Sequence, residues 1–416
     1  MPESAPALRR RLGVFDAVVI GLGSMIGAGI FAALAPAAAA AGSGLLIGVA
    51  VAGVVAYCNA TSSARLAARY PASGGAYVYG RERLGEFWGY LAGWSFVVGK
   101  TASCAAMALT VGSYLWPAHT HAVAVAAVVA VTAVDYFGVH KSALVTRIIV
   151  AVVLAVLIAV VATAFGAHTA DPARLAVGSD ITPHGVLQAA ALLFFAFAGY
   201  ARIATLGEEV RDPARTIPRA VPLALGITLI VYTLVAVAAL TVLGPHELAR
   251  ATAPLADLVR TAGFPGLAPV VRAAAALAAL GALLALVLGV SRTTLAMARD
   301  RHLPHALAAI HPRFGVPHRA ELAVGVIVAA LAATADLRGA IGFSSFGVLA
   351  YYAIANASTW TLAPGRRVIP VAGALGCLAL AFALPRASVI TGAAVLALGA
   401  LVYVARLSER RAVRNS

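Results

Sequence analysis

The sequence predicts an all-α polytopic membrane protein of about twelve transmembrane helices, two of them broken near mid-membrane. Three observations lead there. The 416 residues are 62% hydrophobic and only 11% charged, with a mean hydropathy of +0.92; soluble domains carry about 25% charged residues. Apolar runs of roughly 20 residues recur along the whole chain, and each is long enough to cross a bilayer as a helix. Most of the 31 Lys and Arg residues fall in alternate connections between those runs, which is the positive-inside pattern rather than one basic face.

The runs give spans at 14–41, 44–64, 86–116, 120–138, 142–167, 184–207, 218–244, 267–297, 318–335, 338–362, 368–384 and 387–405. The bias of basic residues places both termini in the cytoplasm and the chain in the cell membrane. Because the net charge of +15 is spread over short loops, nucleic acid is not expected as a partner, whereas the lipid bilayer is. Arg9-Arg10-Arg11 ahead of an apolar run resembles a secretory signal, but that run is too long for a signal core. No polar interval is long enough for a soluble domain, so residues 1–416 read as one integral membrane domain. The 245–266 interval suits either a short helix on the outer face or a solvated loop. Cys58, Cys104 and Cys377 all lie in apolar segments, and neither a disulfide framework nor a metal site is expected.

The first span carries GLGSMIGAGIF, from Gly21 to Phe31. Its four glycines each cost a helix interior about 1 kcal/mol relative to alanine. The sixth span carries FFAFAGYAR, from Phe194 to Arg202, where Gly199 interrupts the helix early. Lipid offers no hydrogen bonds, so unwound backbone inside a membrane must face a cavity or other protein. Paired interrupted spans point to a transport site. A break in the first span exposes amides near Gly27, Ala28, Gly29 and Ile30, which suit a carboxylate. Carbonyls near Ser24 and over Phe195, Ala196, Phe197 and Ala198 suit an ammonium. Gly23-x-x-x-Gly27 equally fits a helix-packing motif, and the second disrupted span tips the balance toward a binding site.

Five stretches then resemble the amino acid–polyamine–organocation permeases: GLGSMIGAGIF, FFAFAGYARIATLGEEVRDPARTIPRA (Phe194–Ala220), RYPASGGAYVY (Arg69–Tyr79), SRTTLAMARDRHLP (Ser291–Pro304) and SSFGVLAYYAIAN (Ser344–Asn356). Several of these motifs are shared with the cationic amino acid transporter branch. The resemblance implies a five-plus-five inverted repeat, with helices 1–5 over 12–167, helices 6–10 over 183–362, and helices 11 and 12 over 368–405. It implies alternating access and transport of an amino acid or related amine, with a polyamine transporter as the alternative. Matched residue by residue, Ser24, Met25, Ile26, Gly27, Ala28 and Gly29, running on to Ile30, correspond to the carboxylate-binding turn. Phe195, Ala196, Phe197, Ala198 and Gly199 correspond to the sixth-helix break, with Phe195 at the place of an aromatic gate.

The coupling ion is open. Some proton-coupled relatives place a lysine in mid-span five, where this chain has Val150–Val153. The run Gly281–Val290 lacks the hydroxyl pair that a sodium site would take from span eight. Lys100, within span three, is a candidate proton carrier or a structural cation, since an ionisable group in a membrane span is costly. Arg202 suits an inner gate with Glu208, Glu209 or Asp16, or it snorkels; Arg147 and Tyr200 are further coupling or gating candidates. Glu208 and Glu209 also suit a cap at the cytoplasmic surface, and Asp135 a structural end to span four.

Enzyme readings find little support. No His-Glu-x-x-His occurs, and Gly21-x-Gly23 lacks the preceding strand and third glycine of a dinucleotide site. No cofactor and no metal are expected. The function expected is therefore secondary transport, proton-coupled or exchange-type, ahead of a channel or a membrane-embedded enzyme.

Overall fold

The computed structural model describes residues 12–70, 74–138, 143–178, 181–204, 210–362 and 367–415. The expected first span is not one helix but three: α1 (Val14–Met25), α2 (Ala28–Ala32) and α3 (Leu34–Ala41). The chain turns through Gly42–Gly44 and runs back as α4 (Leu45–Arg69). A short α5 (Ala76–Leu84) leads through Gly85 into the 30-residue α6 (Glu86–Leu115). Next come α7 (Thr120–Tyr136) and α8 (Ala143–Phe165). The second interrupted span follows as α9 (Pro183–Phe197), a tighter turn over Ala198–Tyr200, and α10 (Ala201–Ala204). The chain continues as α11 (Pro213–Arg250), α12 (Pro254–Thr261) and α13 (Ala268–Arg299). It closes with α14 (His318–Thr334), α15 (Leu337–Trp360), α16 (Val368–Ala383) and α17 (Arg386–Asn415). Among the described residues the sole β pairing is an isolated bridge between Leu12 and Val210.

The protein is an all-α polytopic membrane protein, with ten helical segments among the described residues long and apolar enough to cross a bilayer. Two of the twelve expected spans are shorter rods: α14 has 17 residues and α16 has 16. At 1.5 Å per residue, α16 reaches only about 24 Å.

Interval 245–266 is helical rather than looped. Gly244 adopts φ 71°, ψ 169° inside α11, a left-handed region that glycine enters without a Cβ penalty. The guanidinium of Arg174 donates to the Thr241 and Val242 carbonyls at 3.2 and 2.5 Å, which meets the hydrogen-bond demand this kink creates. Beyond it, α12 buries Leu255, Leu258 and Val259 and leaves Arg260 exposed.

The centre of the bundle is α6, the most buried of the long helices, which packs along α13 and α15. Small side chains make that possible: Ala102, Ser103, Cys104, Ala105, Ala106 and Ala108 succeed one another, all buried. A Cβ on Gly347 of α15 would come within 2.9 Å of the Gly99 Cα, and one on Gly99 within 3.2 Å of the Gly347 backbone. Small residues that let backbones touch are the usual basis of helix association in lipid, where no hydrophobic drive between helices exists. One turn along, the Ser103 and Ser344 hydroxyls hydrogen-bond across the same seam at 2.5 Å.

This seam yields the first prediction. Gly347→Val should destabilise the detergent-purified protein by about 1–3 kcal/mol through overpacking. Gly226→Ala in α11, where an added Cβ meets nothing within 4 Å, should be neutral or stabilising by up to about 1 kcal/mol. Thermal unfolding followed by size-exclusion chromatography separates the two; equal behaviour would refute the close-contact account.

Candidate functional site

The helix in the first span ends where its sequence is weakest. Ile26 leaves helical geometry at φ −81°, ψ 45°, Gly27 is neither helical nor extended at φ −97°, ψ −134°, and α2 restarts at Ala28. In the sixth span the interruption is milder. The α-helix tightens over Ala198–Tyr200 and resumes at Ala201.

The two interruptions lie against each other. A Cβ on Gly199 would sit 2.3 Å from the Ser24 carbonyl oxygen, and one on Gly29 would sit 2.5 Å from the Ala196 Cα. The remaining glycines of the stretch face other helices: Gly21 meets Ile203 of α10, Gly23 meets Thr146 and Val150 of α8, and Gly27 meets Ala282 of α13. Packing and interruption are thus one feature, because the glycines are what lets broken backbone press on broken backbone. Gly27→Val would drive a side chain into Ala282, so its effect on binding is mixed with overpacking.

Tyrosines serve the freed carbonyls. Tyr232 of α11, 1% exposed, brings its hydroxyl to both the Met25 and the Ala196 carbonyls, the latter at 3.1 Å. A single O–H is shared between one carbonyl from each broken helix. Tyr352 of α15 donates to the Ala198 carbonyl at 3.4 Å, and its ring stacks obliquely on Tyr200 at 5.1 Å. The sequence signal for Tyr232 is a lone tyrosine in the apolar run LIVYTLVAV, since buried tyrosines seek a partner for their O–H.

Beside this junction lies a cavity of about 160 Å³ between the broken spans, α6, α13 and α15. Ser24, Phe195, Ala198, Gly199 and Arg202 line it from the broken spans, Lys100 from α6. Residues with no advance sequence signal complete it: Phe96, Ser103, Met107, Ala285, Leu286, Gly289, Arg292, Thr293 and Tyr351 among them. The small Ala282, Ala285 and Gly289 of α13 recur at helical spacing and open the space. Met25, Ile26, Gly27, Ala28, Gly29, Ile30, Ala196, Phe197 and Tyr200 are not part of the lining. All nine are buried, in the packed wall behind it.

The lining is electrically one-sided. Lys100, Arg202 and Arg292 contribute cations, and no carboxylate lines the cavity among the described residues. Lys100 is 7% exposed, and its ammonium makes no hydrogen bond or ion pair with any described residue. Arg147 lies elsewhere, paired with Asp16 of α1 and packed over the Phe15 ring. Asp16, one of the partners the sequence offers Arg202, is therefore engaged by α8. Glu208 and Glu209 lie outside the described residues.

At the end of the bundle nearest Gly74, α5 is clasped to the end of α13. Arg81 pairs with Asp300 at 2.9 Å, Tyr77 donates to the same carboxylate, and His302 contacts Tyr77 at 3.0 Å. Burial and then the Asp300 charge push the Tyr77 phenol well above its ordinary range, so it stays a donor at neutral pH. Above the clasp, the Ala76 amide donates to Tyr351, which borders the cavity.

The chain matches the amino acid permease family over residues 16–364. An uncharacterized transporter of Mycobacterium tuberculosis is 74% identical, covering 99% of this chain and 95% of its own. The branched-chain amino acid permease BcaP of Bacillus subtilis is 27% identical, over 95% of this chain and 93% of its own. Cationic amino acid transporter 7 of Arabidopsis thaliana is 28% identical, over 85% of this chain and 66% of its own. With its interrupted first and sixth spans meeting beside a cavity, this chain belongs to the amino acid permease family of membrane transporters.

Proposed function

We propose that the protein moves a neutral amino acid across the cell membrane by alternating access, with the cavity beside the two helix interruptions as its substrate site. The observation that carries this is the sign of the lining: three cations and, among the described residues, no carboxylate. Such a cavity attracts the substrate carboxylate and repels a cationic side chain. The rings of Phe96, Phe195 and Tyr351 offer their faces to the α-ammonium, and Ser24, Ser103 and Thr293 add hydroxyls. A volume of about 160 Å³ is small beside the ~300–1,000 Å³ of pockets that enclose drug-sized ligands, which suits a small solute. The relative that transports branched-chain amino acids fits the same chemistry better than the cationic transporter does.

In this mechanism helices 1–5 (12–167) and 6–10 (183–362) form two inverted repeats, both termini are cytoplasmic, and the cavity opens toward the Gly74 end. Tyr232 keeps the two interrupted spans moving as one unit. Lys100 loses and regains a proton as substrate arrives and leaves, which couples uptake to the proton gradient or permits exchange. Ser24, Phe195, Ala198 and Gly199 contact the substrate. Met25 through Ile30, with Ala196 and Phe197, hold the geometry behind it, Arg202 and Tyr200 act in gating, and Arg147 fixes α8 to α1.

Uptake into proteoliposomes across a panel of neutral, cationic and acidic amino acids and polyamines tests the assignment. The assay is run with and without a pH gradient, sodium and internal substrate. Saturable uptake of neutral amino acids is expected; selective uptake of arginine or a polyamine would overturn the electrostatic assignment. Lys100→Gln should leave a folded protein whose uptake no longer varies with the pH gradient, and an unchanged gradient dependence would remove Lys100 as the proton carrier. Tyr232→Phe should cost about 1–3 kcal/mol of stability through an unmet buried carbonyl. It should also lower the maximal uptake rate more than the apparent affinity for substrate.

A further inference from the structure

A second polar cluster lies inside the bundle, away from the cavity, where α7, α13 and α14 meet. Asp135 in the last turn of α7 is 1% exposed, and Glu321 in the first turn of α14 is 0% exposed. Their charges interact with each other and with that of Arg292. No ion pair joins them to the Arg292 guanidinium, whose side chain is exposed. Neither oxygen of Glu321, nor Oδ2 of Asp135, has a hydrogen-bond partner among the described residues.

One hydroxyl lies beside them. Thr132 lies one turn before Asp135 on α7 and presses against Gly325, one turn after Glu321 on α14; a Cβ on Gly325 would come within 2.7 Å of the Thr132 hydroxyl. Thr132 is 9% exposed. Elsewhere in the bundle buried or half-buried Ser and Thr hydroxyls donate to a carbonyl of their own helix, as Ser95, Thr101, Thr110 and Thr293 do. Among the described residues, Thr132 is one of six buried Ser or Thr hydroxyls left without a partner.

Unpaired buried polar atoms are rare and call for a cause, and two ionised carboxylates buried together without a counter-charge are strongly unfavourable. The donors are all oxygens, which suits a hard cation. Two carboxylates less the charge of the neighbouring arginine leave one negative charge to neutralise. We infer that Asp135 and Glu321, with the hydroxyl of Thr132, bind one univalent alkali cation between α7 and α14, beside α13. The cation braces the scaffold that holds the outer side of α13. The site is separate from the cavity, and its occupancy is measurable with no substrate present, so it stands or falls apart from the transport assignment.

The test uses the full-length protein purified in detergent, with its thermal midpoint measured in sodium, potassium or choline chloride at fixed ionic strength. Sodium or potassium should raise the midpoint saturably over choline. The double variant Asp135→Asn/Glu321→Gln keeps the shapes and removes both charges, so it should fold and be insensitive to the salt. Thr132→Val should retain the response with affinity weakened by about 10-fold, as when a supporting partner of a metal site is removed. A wild-type midpoint equal in all three salts would overturn the inference, as would an undiminished response in the double variant. Stabilisation by acid alone, with no alkali-ion effect, would instead assign protons to the carboxylates and overturn it too.

Discussion

The structure depends on one contact, the meeting of two interrupted helices backbone to backbone. Gly199 rests on the Ser24 carbonyl and Gly29 on the Ala196 Cα, so any side chain at either glycine would force the pair apart. Hydrocarbon supplies no hydrogen bonds, so the carbonyls freed at the interruptions must be met by protein. Tyr232 and Tyr352 do this. The interruptions are thereby held at a fixed separation, and the cavity opens beside them rather than through them.

Charge is arranged around that junction in two opposite ways. Among the described residues, the cavity lining holds Lys100, Arg202 and Arg292 and no carboxylate, while beyond α13 Asp135 and Glu321 form no ion pair. One helix thus separates a site suited to an anionic group from a site suited to a cation. Arg292 borders the first and is felt electrostatically by the second. A helix held between two such clusters is well placed to let one sense the other, because buried charges are weakly screened.

Both interruptions were legible from residue type, since glycine runs weaken a helix wherever they occur. Ser24, Phe195, Ala198, Gly199, Lys100 and Arg202 line the cavity and stand out in the sequence, because each sits at or near an interruption or is an ionisable group in a span. Phe96, Leu286 and Tyr351 carried no such mark: an aromatic or aliphatic residue in a membrane helix looks the same whether it faces lipid, core or cavity. Asp16 suits Arg202 by sequence alone, and the structure pairs it with Arg147. Asp135 read as a helix end, for its partner Glu321 lies far along the chain and only packing brings the two helices together.

The sequence by itself determined a membrane-spanning, all-helical chain interrupted in its first and sixth spans. Each of those properties is a local response of backbone and side chains to lipid or water. Only the tertiary structure decided which carbonyl Tyr232 meets, which wall Lys100 faces and where the two buried carboxylates converge. Those outcomes depend on helix rotation and separation to within a hydrogen bond's length, and in hydrocarbon they are set by the shapes of small residues on neighbouring helices.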